Sequence, residues 1–331
     1  MSALLEVTGL RISVGSKRSR TTVVQDVELA LDAGETLGVV GESGSGKSMS
    51  GLAVLDLLPP VARVDEGTAI FEGRDLFAMT KGERRRLRAT LMKMVFQDPM
   101  TSLNPVMRVG AQLRESVMAQ GGVSRQDASR QAVELLDRVG IPDPAARARR
   151  YPHEFSGGMR QRVMIAMAVA ARPKLLIADE PTTALDVTVQ SQVVELVKDL
   201  QDQFGTAVIW ITHDLALLAG VADRVAVMYA GRVVESATSE SIYRAPRHPY
   251  TIGLLESIPA PHFPHQSALP AIPGAPPDPR DVKAGCPFAD RCSFVIAHCR
   301  TEMPPLAVSQ RGDRAACWVQ PQVTMPSGKD L

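Results

Sequence analysis

Short apolar runs alternate with segments of helical periodicity through the first 255 residues or so. The runs ETLGVVG (35–41), PKLLIAD (173–179) and TAVIWITHD (206–214) are largely apolar at their centres. Such runs predict strands. A stretch with helical spacing follows each run, starting at about Lys47, after Asp186, and after the third run. The alternation predicts an α/β domain with a mainly parallel sheet.

Strand signals disappear between about residues 100 and 165, where apolar residues recur at helical spacing, as in RQAVELLDRVG (130–140). The pattern predicts a helical subdomain within the α/β domain. The composition then changes, because residues 259–279 hold eight prolines, which favour a stiff, extended linker. We therefore expect one domain over 1–258 and a C-terminal extension over 259–331.

Composition and charge narrow the classes of function. The 331 residues carry a formal net charge of +1, so we expect no nucleic-acid partner. The basic run GERRRLR (82–88) is predicted to be the solvated face of a helix. The longest apolar run, VMIAMAVAA (163–171), is shorter than the roughly 20 residues that span a bilayer. The start of the sequence lacks the pattern of a signal peptide, so we expect a cytosolic chain whose membrane role comes through partners.

A glycine-rich segment, GESGSGKS (41–48), follows the first predicted strand and opens the predicted helix. It matches the phosphate-binding P-loop at every position and in the required strand–loop–helix context. Lys47 is expected to reach the β- and γ-phosphates of ATP, and Ser48 to bind Mg²⁺. The nucleotide-binding candidates are Gly41, Glu42, Ser43, Gly44, Ser45, Gly46, Lys47 and Ser48.

The run LLIADEP (175–181) places two carboxylates at the end of a predicted buried strand. Asp179 is placed to bind the magnesium shell, and Glu180 to orient the attacking water. Acids also end strands in proteins without catalytic function. The P-loop upstream favours the catalytic interpretation.

The segment EFSGGMRQRVMIAMAVA, which begins at Glu154, resembles the signature motif of ATP-binding cassette (ABC) ATPases. The other motifs of that family are present in the family's order. Gln97 in VFQDP resembles the Q-loop, Asp186 in TTALD the D-loop, and His213 in ITHD the switch histidine. The resemblance therefore extends over a series of motifs and not over one segment alone.

This resemblance implies an α/β P-loop NTPase core of ABC ATPase type, with a helical subdomain and a small cysteine-rich C-terminal extension. It implies ATP hydrolysis, with catalytic residues Lys47, Gln97, Glu180 and His213. The implied magnesium ligands are Ser48, Gln97 and Asp179. The implied further nucleotide contacts are Ser156, Gly157, Gly158 and Asp186. The signature is expected to act in trans, on the P-loop of a second ATPase.

Four stretches, QDPMTSLNP (97–105), FSGGMRQR, ADEPTTALDVTVQ and HPYT (248–251), are similar to ATPase subunits of bacterial oligopeptide and dipeptide importers. That resemblance implies a second ATPase, identical or paralogous, together with two transmembrane permease subunits and an extracytoplasmic peptide-binding protein. The chain would lie at the cytoplasmic face of the membrane. Import of nickel or another solute is one alternative function. A soluble ABC ATPase outside transport and a nucleotide-binding regulator without turnover are two more.

One position departs from the family pattern. ABC ATPases usually stack adenine on an aromatic residue before the P-loop, whereas the aligned residue here is Val14 and no aromatic residue precedes Phe71. Arg18 or Arg20 could stack through the guanidinium plane, or the segment makes no base contact. We therefore expect weak discrimination between ATP and GTP.

All four cysteines lie in the C-terminal extension, with gaps of five, six and seventeen residues. Zinc ribbons favour two-residue gaps, and a reducing cytosol disfavours disulfides. Four thiolates can hold an iron–sulfur cluster, which would stabilise a segment too short for its own core. Some peptide-importer ATPases carry a similar pattern with a [4Fe-4S] cluster. We predict a structural [4Fe-4S] site, with Zn²⁺ or unliganded thiols as alternatives, at Cys286, Cys292, Cys299 and Cys317.

Overall fold

The computed structural model describes most of the chain, which forms two compact units. The first unit is Met1–Leu31, Thr36–Phe77 and Ile211–Leu331, and the second is Asp32–Glu35 and Ala78–Trp210. The described residues are 3–16, 19–98, 102–119, 121–182, 187–258, 271–281, 284–309 and 312–323. At 187–189 and 200 the main chain alone is described.

Helices and strands are labelled in chain order. The elements up to residue 77 are β1 (Leu5–Ser16), β2 (Ser19–Leu31), β3 (Thr36–Val40), α1 (Lys47–Val54), β4 (Ala62–Phe71) and β5 (Arg74–Asp75). The next are α2 (Lys81–Thr90), β6 (Met92–Val95), α3 (Val109–Met118), α4 (Arg125–Arg138), α5 (Pro144–Arg147), α6 (Gly157–Ala170), β7 (Leu175–Asp179) and α7 (Val187–Phe204). The last are β8 (Ala207–Thr212), α8 (Leu215–Leu218), β9 (Arg224–Tyr229), β10 (Arg232–Thr238), α9 (Ser239–Arg244), α10 (Pro249–Glu256), β11 (Ala307–Val308) and β12 (Arg314–Ala315). Short 3₁₀ helices lie at Pro152–Glu154, Pro279–Asp281, Ala289–Arg291 and Ala297–Arg300.

An antiparallel sheet in the first unit has the strand order β2-β1-β4-β5. Along β1, buried Leu5 and Val7 alternate with exposed Glu6 and Thr8. This alternation puts one face of the strand against the core and the other toward solvent, as is usual in antiparallel sheets.

A second sheet of the first unit begins at β3, whose five residues are all buried. Continuous burial explains the unbroken apolar run there. In this unit the strand order is β11-β12-β10-β9-β3, with β3 parallel to β9 and the other neighbours antiparallel. We call the described residues between 284 and 323 the cysteine segment. Its strands extend the sheet, and the main-chain N–H of Ala316 donates to the carbonyl oxygen of Val234 at 2.8 Å.

The second unit pairs β6 and β7 in parallel and contains the predicted helices. On α4, Ala128, Ala132 and Leu136 recur at intervals of four and are buried. The helix α3 packs on both α4 and α6. The helical interpretation of RQAVELLDRVG is confirmed up to Arg138, where α4 ends, and Ala132 and Leu136 of this stretch lie on the buried face of the helix.

The basic run lies on α2, and no residue of that helix is buried. A capping box starts the helix: the main-chain N–H of Glu83 donates to Thr80 Oγ1 at 3.3 Å, and the N–H of Thr80 donates to the Glu83 carboxylate at 3.0 Å. The prediction of a solvated helix face is confirmed.

Two observations bear on the wider organisation of the chain. Among the described residues, no helix is both long and apolar enough to cross a membrane. The predicted domain boundary at residue 258 precedes residues 259–270, which lie outside the described part of the chain. The division into 1–258 and 259–331 stays a prediction.

Candidate functional site

The P-loop connects the end of β3 to the start of α1, as the motif predicts. Two of its glycines have no room for a side chain. Gly41 has φ 155°, and a Cβ there would lie 2.0 Å from the carbonyl oxygen of Met228 in β9. Gly46 has φ 96°, and a Cβ there would lie 2.9 Å from a side chain of β2. The loop is thus packed against two strands, while Ser43 and Gly44 at its tip are exposed.

Lys47 is buried, and its ammonium group turns back into the P-loop. Its Nζ donates to the carbonyl oxygens of Gly41 at 2.6 Å and Glu42 at 2.9 Å, and to Ser45 Oγ at 3.4 Å. A phosphate oxygen would be a stronger partner for this ammonium group than a main-chain carbonyl oxygen, since hydrogen bonds between charged groups are stronger. Ser48 is half-buried in the first turn of α1.

The end of β7 brings two predicted catalytic residues together. Gln97 Nε2 donates to Glu180 Oε2 at 2.8 Å, although the two residues are 83 positions apart in the sequence. Asp179 is buried at the last position of the strand. Glu180 has φ 47°, in the left-handed region that non-glycine residues rarely adopt. Strain of this kind is concentrated at functional sites.

Gln161 is not among the predicted site residues, yet it supports this strand end. Its side chain is fully buried, and Nε2 donates to the carbonyl oxygens of Pro181 at 2.6 Å and Glu180 at 3.4 Å. These bonds fix the main chain that carries the Glu180 carboxylate. The available sequence signal is a glutamine at a core-facing position of α6, one turn before buried Ile165.

The signature segment forms the N-terminal end of α6. Ser156 is the N-cap, and its Oγ accepts a hydrogen bond from the main-chain N–H of Met159 at 3.3 Å. Ser156 and Gly157 are exposed, and a Cβ on Gly157 would meet no atom within 4 Å. Gly158 is half-buried in the same turn. The positive end of the helix dipole is therefore presented at the surface of the second unit.

His213 directly follows β8, and its side chain is exposed. The next residue, Asp214, caps α8 by accepting hydrogen bonds from the main-chain N–H groups of Ala216 and Leu217. Asp186 lies outside the described residues. His213 and the P-loop belong to the first unit, whereas the β7 end and the signature belong to the second. The catalytic grouping across the two units stays a prediction.

Two residues that are not among the predicted site residues contact Glu42 of the P-loop. The main-chain N–H of Glu42 donates to the hydroxyl oxygen of Tyr250 at 2.8 Å. The guanidinium of Arg291 forms an ion pair with the Glu42 carboxylate. The sequence signal for these contacts is weak, because the partners are 208 and 249 positions apart.

A cavity of about 680 Å³ lies beside the P-loop in the first unit. Its described lining contains no aromatic ring but holds three arginines, Arg20, Arg232 and Arg280. Val23 also lines it, and its carbonyl oxygen would lie 3.1 Å from a Cβ on Gly46 of the P-loop. Val14 is half-buried in β1, and Arg18 lies outside the described residues.

The four predicted cluster ligands are free cysteines whose side chains line one small cavity. Burial raises the pKa of the Cys286 thiol to about 11, and burial also raises the pKa of Cys292 and of Cys317. A raised pKa favours the protonated thiol, whereas the low pKa of a reactive cysteine favours the thiolate. In the part of the chain that the structure describes, no three His, Cys, Asp or Glu side chains are grouped to hold a metal ion.

Two protein families match this sequence. Residues 24–183 match the family described as ABC transporter. Residues 234–299 match the family described as oligopeptide/dipeptide transporter, C-terminal region. The second match begins within β10 and ends at the third cysteine.

Known relatives are similar over nearly the whole chain. The probable peptide ABC transporter ATP-binding protein y4tR of Sinorhizobium fredii is 50% identical over 316 residues, which are 95% of this chain and 94% of that protein. The oligopeptide transport ATP-binding protein OppD of Haemophilus influenzae is 48% identical over 319 residues, with coverages of 96% and 98%. OppD of Bacillus subtilis is 50% identical over 307 residues, with coverages of 92% and 86%.

Solved structures agree with the predicted fold. The ATP-binding subunit of an ABC transporter is 28% identical, with a TM-score of 0.60, and covers 72% of this chain and 91% of its own. The dimeric ATP-binding cassette MJ0796, in a post-hydrolysis state with ADP and phosphate, has a TM-score of 0.64, with coverages of 71% and 98%. At 24% identity, this second likeness shows the cassette fold alone. The chain therefore belongs to the ABC transporter family, among the ATP-binding proteins of oligopeptide and dipeptide transporters.

Proposed function

We propose that this chain is the ATP-hydrolysing subunit that energises the import of oligopeptides or dipeptides through a membrane ABC transporter. The contact between Gln97 and Glu180 carries the hydrolytic part of the proposal, because it holds a carboxylate at the end of a buried strand. The relatives support the transport part, since their names describe peptide or oligopeptide transport and the matches cover at least 92% of this chain.

The chemistry divides among residues with distinct roles. Lys47 exchanges a P-loop carbonyl for oxygens of the β- and γ-phosphates. Mg²⁺, when bound, neutralises charge on these phosphates. Ser48, Gln97 and Asp179 would hold the ion through oxygen atoms, which suit a hard cation. Glu180 orients the attacking water and accepts its proton, while Gln97 holds the Glu180 carboxylate in place.

The remaining predicted site residues act either in this chain's own ATP site or in that of a second chain. In its own site, His213 is expected to contact the γ-phosphate. The signature is proposed to act on the P-loop of a second ATPase through Ser156, Gly157 and Gly158. Asp186 is proposed to lie at the contact between the two ATPases. The exposure of Ser156 and Gly157 supports this role, because the start of α6 is open to another molecule.

The full assembly would contain a second ATPase, identical or paralogous, with two transmembrane permease subunits and an extracytoplasmic peptide-binding protein. This chain would bind at the cytoplasmic face of the membrane. When the two ATPases close on ATP, the conformational change would be transmitted to the permeases through the region around Gln97. The match to the oligopeptide/dipeptide transporter C-terminal region favours a transporter over a soluble ABC ATPase.

Substitution of Glu180 tests the proposed function. A strain lacking the chain receives either the wild type or Glu180→Gln, and uptake of labelled peptides is measured alongside ATP hydrolysis by the purified transporter. A catalytic base contributes roughly 10²- to 10⁴-fold, so turnover and uptake should fall about 100-fold or more while ATP binding persists. The control is Glu195→Gln on the exposed face of α7, which should retain both activities.

The outcome also separates the alternatives. Turnover like the wild type in Glu180→Gln would refute its role. Uptake of nickel without uptake of peptide would show that the transporter imports nickel and not peptides. Hydrolysis with normal cellular function in the absence of any permease would support a soluble ATPase.

The finer cofactor proposal is a [4Fe-4S] cluster held by Cys286, Cys292, Cys299 and Cys317. The supporting observation is that these four free cysteines line one cavity. When bound, the cluster would cross-link the segment through its thiolates. The role would be structural, because ATP hydrolysis transfers no electron. The proposed C-terminal extension, 259–331, would be stabilised by this cross-link.

Metal analysis tests the cofactor proposal. Anaerobically purified protein should be brown, with about four irons and four sulfides per chain, and Cys292→Ser should lose them. Colourless protein with one zinc per chain would contradict the cluster and support Zn²⁺. Metal-free protein would support unliganded thiols.

A further inference from the structure

We infer that Arg291 is a positioning residue for the P-loop: by holding Glu42, it sets the conformation and the charge of the loop that receives ATP. The inference rests on the proposed function, because it takes the P-loop as the ATP site. Arg291 immediately precedes Cys292, so the contact joins the cysteine segment to the P-loop within the first unit.

The contact between Arg291 and Glu42 is made at two points. Arg291 Nη1 donates to Glu42 Oε2 at 2.8 Å, and Nη2 donates to Oε1 at 2.9 Å. A two-point contact fixes the orientation of a carboxylate as well as its distance. The side chain of Arg291 is 8% exposed and that of Glu42 is 25% exposed, so solvent screens this pair less than a surface pair.

Arg291 is itself held in one position by other groups. Its Nε donates to the carbonyl oxygen of Pro273 at 2.8 Å, and Nη1 also donates to the hydroxyl of Tyr229 at 3.1 Å. The guanidinium carbon lies 5.7 Å from the ring centroid of Tyr229 and 5.8 Å from that of Phe288. The guanidinium is thus preorganised for the carboxylate, and little side-chain entropy is lost in forming the pair.

Three groups of Glu42, namely its main-chain N–H, its carbonyl oxygen and its carboxylate, are each held by another residue. Its main-chain N–H donates to the Tyr250 hydroxyl at 2.8 Å, and its carbonyl oxygen accepts from Lys47 Nζ at 2.9 Å. Arg291 holds its carboxylate. Loss of Arg291 would release the carboxylate. It would also leave a negative charge without its partner beside the phosphates of ATP, which that charge repels.

The stretch between Cys286 and Cys292 carries both parts of this contact region. Phe288 packs against Tyr250, with ring centroids 5.4 Å apart, and Arg291 follows three residues later. The same stretch therefore supports the tyrosine that binds the Glu42 amide and the arginine that binds the Glu42 carboxylate. ATP affinity depends on this stretch being folded against the P-loop.

The test measures binding of the fluorescent analogue MANT-ATP to the purified full-length chain. Arg291→Ala should weaken binding about tenfold, because a charge-assisted contact is lost and the Glu42 carboxylate loses its partner. The double variant Glu42→Gln, Arg291→Ala removes that carboxylate charge and should recover affinity to within about threefold of the wild type. A purely structural defect would not be rescued in this way, so the rescue identifies a positioning role.

Arg300→Ala is the matched control, because Arg300 pairs with Asp290 at 2.5 Å and both side chains are more than half exposed. It should bind MANT-ATP as the wild type does. Arg291→Lys is the variant least disruptive to folding, and it should weaken binding about threefold through loss of the two-point contact.

Two results would overturn the inference while leaving the proposed function intact. One is wild-type affinity in both Arg291 variants. The other is a defect in Arg291→Ala that Glu42→Gln does not relieve. Failure of the folded wild-type chain to bind MANT-ATP would overturn the proposed function and, with it, the inference.

Discussion

The two helix starts that carry the phosphate motifs differ in how completely this chain surrounds them. At the start of α1, Lys47 is buried, and the loop before it is contacted by β2, β9, α10 and the cysteine segment. At the start of α6, Ser156 and Gly157 are exposed, and a Cβ on Gly157 would meet no atom within 4 Å.

The difference indicates that the P-loop is supported from several sides within this chain, whereas the start of the signature helix is open. The P-loop is supported by parts of the chain that are distant in sequence, so its affinity should respond to changes far from the motif. The start of the signature helix is exposed and is open to a second molecule. Substitutions at the first site should alter binding by the isolated chain, whereas substitutions at the second should alter the assembly alone.

The largest effect on the P-loop side is expected from Lys47→Ala. Loss of the buried ammonium removes charge-assisted hydrogen bonds worth about 1.5–3 kcal/mol, so MANT-ATP affinity should fall by roughly 10- to 150-fold. Lys198→Ala, on the exposed face of α7, is the control and should bind as the wild type does. Retained affinity in Lys47→Ala would place the phosphate site elsewhere and remove the basis of the comparison.

A smaller effect is expected from Cys292→Ser. If a cluster holds the cysteine segment, its loss should loosen Arg291 and weaken MANT-ATP binding by at most about tenfold, the effect of removing Arg291 itself. Iron content and affinity are measured on the same samples, with Ser293→Ala as the neighbouring exposed control. Loss of iron with unchanged affinity would show that the segment reaches the P-loop without the cluster.

The smallest effect is expected from the nucleotide base. A stacked aromatic residue contributes roughly 1–3 kcal/mol, and the described lining of the cavity beside the P-loop is arginine-rich instead. MANT-ATP and MANT-GTP should therefore bind to the purified chain within about threefold of each other. Arg20→Ala should lower both affinities to a similar extent. A strong preference for ATP would mean that another group recognises the base.

The predictable parts of this protein are those encoded in contiguous residues. The apolar runs of β3 and β7 are long enough to indicate buried strands, and the P-loop and LLIADEP motifs carry their own strand contexts. The contact between Gln97 and Glu180 could be predicted only through the resemblance to ABC ATPases, because 83 positions separate the two residues.

The remaining parts depend on packing that local patterns do not encode. Arg291 lies in a three-residue 3₁₀ helix, and its partner Glu42 is 249 positions away. The strands β11 and β12 have two residues each, which is too short for a periodicity to be detected. The sequence identifies four cysteines as possible metal ligands. Only the fold shows that the four residues line one cavity.

The most direct test of the central claim is Gly157→Asp, measured both in the isolated chain and in the assembled transporter. Space is open at this position, and an acidic residue at a helix N-terminus is favourable, so the chain should fold. Its charge would repel the phosphates of a partner's ATP. We predict that the isolated Gly157→Asp chain binds MANT-ATP within about twofold of the wild-type affinity. The assembled transporter should hydrolyse ATP at about one tenth of the wild-type rate or below. Gly157→Ala should show near-normal affinity and hydrolysis. A parallel loss of affinity in the isolated chain, or unchanged hydrolysis in the assembly, would contradict a signature that acts in trans.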